Sequence, residues 1–477
     1  MFRKQRQILL LAGIFMFGAA MMAPAQEPVK LSLQEALAMA HQNNANILNS
    51  ELDLKSAQKR IWETIATGLP HVDASGSYQH IFKVPTLSFP SSELSTTRKP
   101  FDAITQTGTV GNGVGLSTGD SIFTNMVAGP AIELGVKDNI TYDFTLSQLI
   151  FSGSYLVGLQ ASKVFYGYAE QNAEKTRLDV TETVINTYNM IRLAEESKKI
   201  LSQNLENIDK TLYEVTEMNK QGFVEKTDVD QLELTGTTIK NALNQIESNL
   251  DMGYRLLKIQ IGMDEATKVE LSDPLESGES LTASSLELIN QPFSLERNVD
   301  YKLIQTSEKQ ASLELKLAKS AYLPTIAGFY VHTEKVYAPA FDFAPKDLVG
   351  INLTLPIFSS GERMAQVSQR RFSLEKAQNT RRFVSSNLMM QATQFQNDVR
   401  LKLEKYQNQK KSMELSDDIY QRTLEKYKQG MASSMDLMTS QNQYLTNLTN
   451  YYQSIFDLES SKSQLEKLFN INQDIPK

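Results

Sequence analysis

The sequence predicts a mainly α protein with a transmembrane β-barrel portion. Long antiparallel coiled-coil helices are expected to form a hollow α-barrel, and four strands per protomer are expected to contribute to a 12-stranded trimeric β-barrel. Three observations support this fold class: an internal duplication, long stretches of helical pattern without proline, and short segments in which polar and apolar residues alternate.

The first segment, 1–25, has the layout of a cleavable secretory signal peptide. Arg3, Lys4 and Arg6 precede an apolar run over residues 8–17, and small residues follow up to Ala25. The apolar run is shorter than the roughly 20 residues that a spanning helix needs. We therefore expect an exported protein whose membrane contact, if it has one, is made by strands.

Charge and cysteine content narrow the function classes. The chain carries 55 acidic and 48 basic residues, a formal net charge of −7, and removal of the leader would make it more negative. A nucleic-acid-binding protein would instead show a basic face, so no nucleic-acid partner is expected. The chain has no cysteine, so disulfides do not hold it together.

An internal repeat organises the chain, because three landmarks occur twice in the same order. The pairs are Leu69-Pro70 with Leu323-Pro324, Ile150-Phe151-Ser152 with Ile357-Phe358-Ser359, and Lys220-Gln221-Gly222 with Lys428-Gln429-Gly430. We assign a first repeat to 26–262, a linker to 263–285, a second repeat to 286–470 and a tail to 471–477.

Each repeat is predicted to run helix, strand, loop, strand, very long helix, tight turn, helix. In the first repeat these are a helix over about 32–65, strands over about 70–83 and 140–151 around a loop at 84–139, a long helix at 155–219 and a helix at 224–262. In the second repeat a helix precedes strands over about 324–336 and 348–358, a long helix at 361–429 and a helix at 433–470. Ser32 and Glu35 have the spacing of a capping box at the first helix start.

The long helix of the first repeat is predicted from its hydrophobic spacing. Its apolar positions alternate steps of four and three, which is typical of a coiled-coil seam; they are Leu201, Leu205, Ile208, Leu212 and Val215. At 1.5 Å per residue, about 65 residues give about 100 Å of helix. The helices before the strands and after the turn together match this length, so two short helices stacked end to end could flank the long one.

The four strands are predicted from alternation. Apolar and polar residues alternate from Val72, from Ile140 and from Val349, whereas the segment 325–334 has contiguous apolar residues and ambiguous faces. A membrane tolerates no open sheet edge, and four strands cannot close a barrel. Three copies would supply twelve strands, an even number in the range of such barrels. A soluble, half-buried sheet would give the same alternation.

Three alternative classes fit parts of the pattern. A scaffold coiled coil explains the heptads but not the strands, and a single-chain porin needs many more strands and no long helix. A periplasmic enzyme would need convergent titratable groups. The segment 115–119 matches the G-x-S-x-G nucleophile pattern without the strand-turn-helix context of that motif. No catalytic residue, cofactor or metal ligand is predicted.

These landmarks, in this order and spacing over the mature chain, resemble the TolC family of outer-membrane efflux proteins. The resemblance implies a non-enzymatic channel subunit in the cell outer membrane of a Gram-negative bacterium, extending into the periplasm. It implies a homotrimer embedded in outer-membrane lipid that forms an exit duct for small molecules or secreted substrates. Its implied partners are a periplasmic adaptor protein and an inner-membrane pump or ABC transporter.

The resemblance also implies roles for individual residues. Gly222, Phe223, Gly430 and Met431 would form the hairpin turns at which an adaptor docks. Pro70, Phe151, Pro324 and Phe358 would mark strand entries and exits.

Three residues would belong to a pore-tip gate: Asp436, Asp228 and Tyr427. The sequence departs from the family pattern at Thr439, where a second constriction acid would fall, and at Ala432, where the best-known members have arginine.

A second interpretation of the acidic residues is helix N-terminal chemistry. Thr227 with Asp230, and Ser433 with Asp436, have capping-box spacing, with an acid in place of the usual Glu or Gln. The gate and the cap interpretations are compatible, and the sequence supports both.

Overall fold

The structure is a computed structural model that describes residues 29–87, 90–95, 123–128, 132–133, 135–274, 278–337, 342 and 344–471. The predicted signal peptide at 1–25 lies outside these residues, as do 115–119, most of the predicted loop at 84–139 and nearly all of the tail. The chain divides into two compact units. A helical unit comprises the described residues within Met1–Trp62, Leu159–Ala318 and Met364–Lys477, and a strand unit comprises those within Glu63–Gly158 and Lys319–Arg363.

The element order follows the duplication. The first half contains β1 (Val29–Leu31), α1 (Leu33–Asn43), α2 (Ala45–Ala66), β2 (His71–His80), β3 (Thr86–Leu87), β4 (Pro90–Ser95), β5 (Phe123–Ala128), β6 (Ile132–Glu133), β7 (Asp138–Ser152), α3 (Gly153–Lys220) and α4 (Lys226–Ile261). The second half contains β8 (Val269–Leu271), α5 (Glu279–Asn290), α6 (Val299–Ser320), β9 (Thr325–Lys335), β10 (Asp347–Thr354), α7 (Glu362–Lys428) and α8 (Ser434–Phe469).

The predicted helix over 32–65 is two helices, because the backbone leaves the helical conformation at Asn44, where ψ is 127°. Its start is as predicted: the hydroxyl of Ser32 accepts from the N–H of Glu35, and the Glu35 carboxylate accepts from the N–H of Ser32 at 2.8 Å. No proline or glycine lies at the break, so periodicity alone predicted one continuous helix.

Asn44 joins two helix ends. Its side-chain N–H donates to the carbonyl of Gln260 at 2.7 Å, near the C-terminus of α4, and its side-chain oxygen accepts from the N–H of Asn46 at 2.9 Å, in the first turn of α2. Both groups lack a partner within their own helix. Helix α4 then ends at Gly262, whose φ of +65° and close approach to the backbone of Asn43 leave no room for a side chain.

The second repeat contains the same joint. The buried Asn298 donates from its side chain to the carbonyl of Leu468 at 2.8 Å and accepts from the N–H of Tyr301 at 2.9 Å. The C-terminus of α8 therefore meets the start of α6 as the C-terminus of α4 meets the start of α2.

Each joint lies in its own hydrophobic core. The first core contains the buried residues Leu37, Ile47, Val184, Tyr188, Leu257 and Ile261, from α1 to α4. The second contains Leu288, Leu388, Val399, Leu403, Ile455 and Leu465, from α5, α7 and α8. Burying a large aliphatic side chain contributes roughly 1.5–3 kcal/mol. These cores therefore hold the short helices against the long ones.

A third cluster follows the predicted seam. Ile208 and Val215 of α3 are buried against Leu232 and Ile239 of α4, and Met438 of α8 joins them. The remaining seam residues pack at its edge; they are Leu201, Leu205 and Leu212. The heptad pattern of α3 thus identified the residues that pair the long helix with its partner.

The predicted linker at 263–285 contains regular structure. Strand β8 pairs in parallel with β1, from Val29 opposite Val269 to Leu31 opposite Leu271, and α5 begins within this segment. The buried hydroxyl of Tyr188 donates to the carbonyl of Leu31 at 3.0 Å, and burial raises the pKa of Tyr188 to about 12.

The strand unit contains an antiparallel sheet in the order β10-β9-β7-β2. Strand β2 pairs with β7 from His71 opposite Ser147 to His80 opposite Asp138, and β10 pairs with β9 over its whole length. Within the described chain the sheet is open, with β10 and β2 at its edges. Strand β10 ends at Thr354, short of the predicted 358, because Pro356 has no N–H to offer the ladder.

The pairing of β9 with β10 shows which residues of β9 share a face of the sheet with which residues of β10. Phe329 stands opposite Gly350 of β10, and a Cβ on Gly350 would meet the Phe329 ring at 2.5 Å. Gly76 stands opposite Tyr142 in the other hairpin. In both repeats an aromatic ring therefore covers a strand glycine that has no side chain of its own to pack.

Two further short ladders lie in the segment predicted as the loop at 84–139. Strand β3 pairs with β6, and β4 pairs with β5. Of the residues between these strands, 96–122 lie outside the described residues.

No helix within the described residues combines the length and the apolar character that crossing a membrane requires.

We predict that Asn44→Leu destabilises the joint between α2 and α4. The substitution removes the hydrogen bonds to the buried Gln260 carbonyl and to the N–H of the exposed Asn46, which costs about 2 kcal/mol. Hydrogen exchange followed by mass spectrometry should show a roughly 30-fold faster exchange in the peptide that spans the start of α2.

The matched control is Asn49→Leu, which introduces the same side chain at an exposed position of α2. Its exchange should stay close to that of the unmodified protein. Equal exchange in the two variants would contradict a bridging role for Asn44.

Candidate functional site at the helical hairpin tips

The first hairpin turn, between α3 and α4, is closed by backbone hydrogen bonds. The N–H of Gly222 donates to the carbonyl of Asn219 at 2.9 Å, and the N–H of Phe223 donates to that of Met218 at 3.0 Å. Gly222 has a φ of +79°, a conformation that glycine adopts without the steric cost of a Cβ. The Phe223 side chain is 77% exposed.

The second turn, between α7 and α8, repeats this geometry. The N–H of Gly430 donates to the carbonyl of Tyr427 at 2.9 Å, and the N–H of Met431 donates to that of Lys426 at 2.8 Å. The φ of Gly430 is +70°, and Met431 is exposed. All four residues proposed for adaptor docking thus lie in these turns, with an exposed apolar side chain following each glycine.

Asp436 caps helix α8. Its carboxylate accepts from the hydroxyl of Ser433 at 2.7 Å and from the N–H of Ser433 at 3.1 Å, and its own N–H donates to the Ser433 hydroxyl. The hydroxyl donor, with the backbone donor second, lowers the pKa of Asp436 below the usual range of aspartate. The capping interpretation is confirmed at this position.

The capping prediction for Thr227 and Asp230 is wrong. Helix α4 begins at Lys226 with Glu225 as its N-cap, and no side chain donates or accepts a capping hydrogen bond there. Thr227 and Asp230 lie inside the helix. The N-cap, Glu225, lies two residues before Thr227, and no capping box forms at this helix start.

Asp228 connects the two hairpins of the chain. Its carboxylate accepts from the hydroxyl of Ser434 at 2.6 Å, which joins the first turn of α4 to the first turn of α8. The half-buried Tyr427 packs against the adjoining hydrophobic cluster. Burial, and then the negative charges of Asp228 and Glu214, raise the pKa of Tyr427.

The structure therefore groups two of the three predicted gate residues. Asp228 and Tyr427 lie together between the hairpins, whereas Asp436 is engaged by its own helix cap. Sequence reasoning missed Ser434. The adjacent Ser433 was recognised as a cap, and the signal for Ser434 would have been its place on the buried face of α8, next to Leu437.

The strand entries and exits lie in the other unit. Pro70 and Pro324 come immediately before β2 and β9, at the points where the chain turns from helix into strand. Phe151 lies in β7 at a register shift opposite Ile326, and Phe358 lies beyond the end of β10.

In the part of the chain that the structure describes, no group of three or more His, Cys, Asp or Glu side chains could hold a metal ion. The hairpin tips present carboxylates, hydroxyls and exposed apolar side chains. This set is suited to docking and to electrostatic interaction with charged solutes.

The second repeat is similar to a known protein family. Residues 294–470 match the family model described as "Outer membrane efflux protein". The matched segment begins just before α6 and includes β9, β10, the long helix α7, the second hairpin turn and α8. The predicted resemblance is thereby confirmed. No protein of curated function matches this sequence.

Solved structures extend the likeness to nearly the whole chain. The outer membrane protein VceC of Vibrio cholerae is 13% identical with a TM-score of 0.68, and the match covers 92% of this chain and 96% of that one. The CmeC outer membrane channel of Campylobacter jejuni is 17% identical with a TM-score of 0.67, covering 92% and 85%. The open state of the Neisseria gonorrhoeae MtrE outer membrane channel is 15% identical with a TM-score of 0.66, covering 92% and 88%.

At these identities the likeness establishes the fold. The mainly helical architecture with a strand portion is that of outer membrane channels. The matched family and the similar structures are channel proteins rather than enzymes, so the prediction of a non-enzymatic chain is confirmed.

We predict that Ser434→Ala loosens the contact between the two hairpins. The Asp228 carboxylate loses a hydrogen bond of 2.6 Å. A hydrogen bond to a charged group contributes about 1.5 kcal/mol or more. Exchange in the first turns of α4 and α8 should accelerate by about tenfold.

Ser440→Ala is the matched control, because Ser440 is equally buried on α8 but donates to Leu437 within its own helix. It should accelerate exchange in α8 only. Faster exchange in α4 with both variants, or with neither, would argue against a specific link through Asp228.

Proposed function

We propose that this chain is one subunit of a homotrimeric outer-membrane channel, which forms an exit duct across the periplasm for small molecules or secreted substrates. An inner-membrane pump or ABC transporter would drive export, and a periplasmic adaptor protein would connect it to the channel. The observation that carries the proposal is the inverted exposure of the four-stranded sheet.

In β7 the apolar side chains are more exposed than the polar ones. Tyr142, Phe144 and Leu146 are 50%, 49% and 40% exposed, whereas the alternating Asp143 and Thr145 are half-buried. A water-soluble sheet buries its apolar face. A barrel wall in a membrane turns its apolar face toward lipid and its polar face toward the lumen.

Strand β10 adds apolar residues to the same face. Val349, Ile351 and Leu353 of β10 are between 61% and 78% exposed, on the same face as Tyr142 and Phe144. In β9, which lies between them, Tyr330 extends this apolar face, while His332 and Glu334 interrupt it toward one end. Single exposed hydrophobic residues are common, but so many on one face of a sheet indicate contact with lipid or protein.

The edges of the sheet require further copies. Strands β2 and β10 each offer one row of backbone N–H and C=O groups that the sheet itself leaves unpaired. In hydrocarbon each unsatisfied group costs several kcal/mol, so the edges must pair. Pairing β2 of one copy with β10 of the next closes a barrel, and three copies give twelve strands, an even number.

The helical unit also favours assembly. Several large apolar residues of α7 are exposed in the single chain; they are Phe372, Phe383, Met389, Leu401 and Leu415. Neighbouring copies in a trimer would cover them. With 68 residues, α3 measures about 100 Å at 1.5 Å per residue, long enough to extend far into the periplasm.

The partners follow from the hairpin turns. Each turn presents a glycine followed by an exposed apolar side chain, Phe223 in one and Met431 in the other. An adaptor that inserts its own residues between these turns would bury both side chains. We further propose that Asp228 and Tyr427 hold the hairpins together in a closed state and that Asp436 contributes charge at the constriction.

We predict that the protein, extracted from outer membranes in mild detergent, has a mass of about three protomers after correction for bound detergent, since three copies close the barrel. Light scattering measures this mass. A soluble monomer or dimer absent from the membrane fraction would end the channel proposal and favour a coiled-coil scaffold.

Crosslinking tests the closure itself. The chain has no cysteine, so pairs can be introduced on the two edge strands, Ser75→Cys on β2 with Asn352→Cys or Thr354→Cys on β10. Oxidation should yield covalent trimers. The control pair Thr145→Cys with Val331→Cys joins adjacent positions of β7 and β9 within one chain, and should leave the mass unchanged.

We predict that Asp436→Asn reduces the preference of single channels for cations. Carboxylates converging on a narrow lumen favour cations. Because the pKa of Asp436 is lowered, its carboxylate stays charged at pH values at which an ordinary aspartate begins to take up a proton. The charge is lost only at lower pH. The wild-type preference should therefore persist at about pH 5. Unchanged reversal potentials in planar bilayers would rule out this role.

A further inference from the structure

Helix α7 carries a row of exposed apolar residues along one face. Phe372, Phe383, Met390 and Leu401 are large, apolar and exposed. Successive members are eleven, seven and eleven residues apart, which are close to whole numbers of helical turns. The four side chains therefore lie in line on the helix. At 1.5 Å per residue this α7 row is about 44 Å long.

A second row follows α4 and α2, the helices that meet at the first joint. Met252 and Ile259 of α4 and Leu48, Leu52 and Trp62 of α2 are also exposed. Because the C-terminus of α4 meets the start of α2, the two helices continue each other along α3. From Met252 to Trp62 this α2–α4 row is about 40 Å long.

The two rows lie on the first and the last helix of a series of neighbours in the helical unit. Ion pairs define the series: Arg177 of α3 with Glu51 of α2, Lys175 of α3 with Asp300 of α6, and Arg370 of α7 with Glu314 of α6. The order is α2, α3, α6, α7. A unit with an apolar row at each end of such a series can join a second copy through two different surfaces, a contact that closes into a ring.

The rows match when α7 runs antiparallel to α2. Each helix in the series is antiparallel to the one before it, so α7 is antiparallel to α2, and rotation about an axis along the helices keeps this relation between copies. With Phe372 level with Trp62, Phe383 falls level with Leu52, because the steps along the two helices are about 16 and about 15 Å. The far end of the α7 row then reaches Met252.

One pair of charges favours this register. It sets Lys59 of α2 level with Glu375 of α7, and both are exposed. Within the described chain neither side chain makes an ion pair. Sliding α7 by one heptad toward its C-terminus would bring Arg382 level with Lys59, and like charges on facing helices oppose pairing. The charges therefore select among the registers that the apolar rows allow.

We propose that the α7 row of one copy packs against the α2–α4 row of the next, with Phe372 beside Trp62 and Phe383 beside Leu52. The inference rests on the proposed trimer, and it names the two surfaces that meet in the helical part of that trimer. Three such contacts close the ring. Each copy supplies both rows, so the partner is a second copy of this chain.

Crosslinking tests the register. Because the chain lacks cysteine, Leu52→Cys and Phe383→Cys can be introduced together. A thiol crosslinker about 8 Å long, which is the distance between the axes of packed helices, should join the detergent-extracted copies into covalent trimers. In the control, Leu52→Cys with Phe372→Cys, the α7 cysteine lies three turns away, and no covalent trimer should form. Phe383→Cys alone should give no covalent dimer.

Charge reversal tests the pairing of Lys59 with Glu375. In the variant that crosslinks, Lys59→Glu should slow formation of the covalent trimer about threefold, because two carboxylates then lie level and an exposed pair has a modest effect. Adding Glu375→Lys restores opposite charges and should restore the rate. A further decrease with the double reversal would contradict the pairing.

The fluorescence of Trp62 reports on the same contact without cysteines. Trp62 is the single tryptophan of the chain and is 61% exposed in one copy. In the trimer Phe372 would cover it, so Phe372→Ala should raise its acrylamide quenching constant about twofold. Leu401→Ala, at the other end of the α7 row, should leave quenching unchanged.

Three results would overturn the inference: a trimeric protein in which Leu52→Cys and Phe383→Cys do not crosslink, equal crosslinking in the shifted control, or equal quenching of Trp62 in Phe372→Ala and Leu401→Ala. The channel proposal fails on other grounds. Light scattering and the crosslinks between β2 and β10 test the trimer and its barrel without these helices.

Discussion

A helix that ends in the middle of a long coiled-coil array exposes backbone donors and acceptors where water is scarce. Much of the helical unit depends on solving this problem twice. Asn44 and Asn298 each give a side-chain N–H to a carbonyl at the end of one helix and take an N–H at the start of another. One amide can do both, because it carries a donor and an acceptor on the same short side chain.

The sequence predicted the elements whose signal is periodic. The seam from Leu201 to Val215 and the alternation in β7 repeat often enough to be read locally, and Pro70 and Pro324 mark the entries into strands. The break at Asn44 was not predictable in this way. Asparagine is tolerated inside helices at a modest cost, and the carbonyl that it binds belongs to a residue more than two hundred positions later.

In the candidate site, too, the local sequence predicted some features and not others. Glycines at the two turns follow from local backbone geometry, and so does the cap formed by Ser433 and Asp436. The bond from Ser434 to Asp228 joins the two repeats, and no spacing rule within one repeat could reveal it. Physical contacts between repeats depend on how the hairpins pack, which is decided by buried residues such as Met438.

Differences between the repeats are therefore more informative than their likeness. The fold explains what both copies share: the asparagine joint, the glycine turn and the aromatic ring over a strand glycine. It does not explain why one joint has Gln260 where the other has Leu468, or why Asp228 bonds across hairpins while Asp436 serves its own helix. Because the second repeat has Leu468 where the first has Gln260, the joint itself does not require a buried amide.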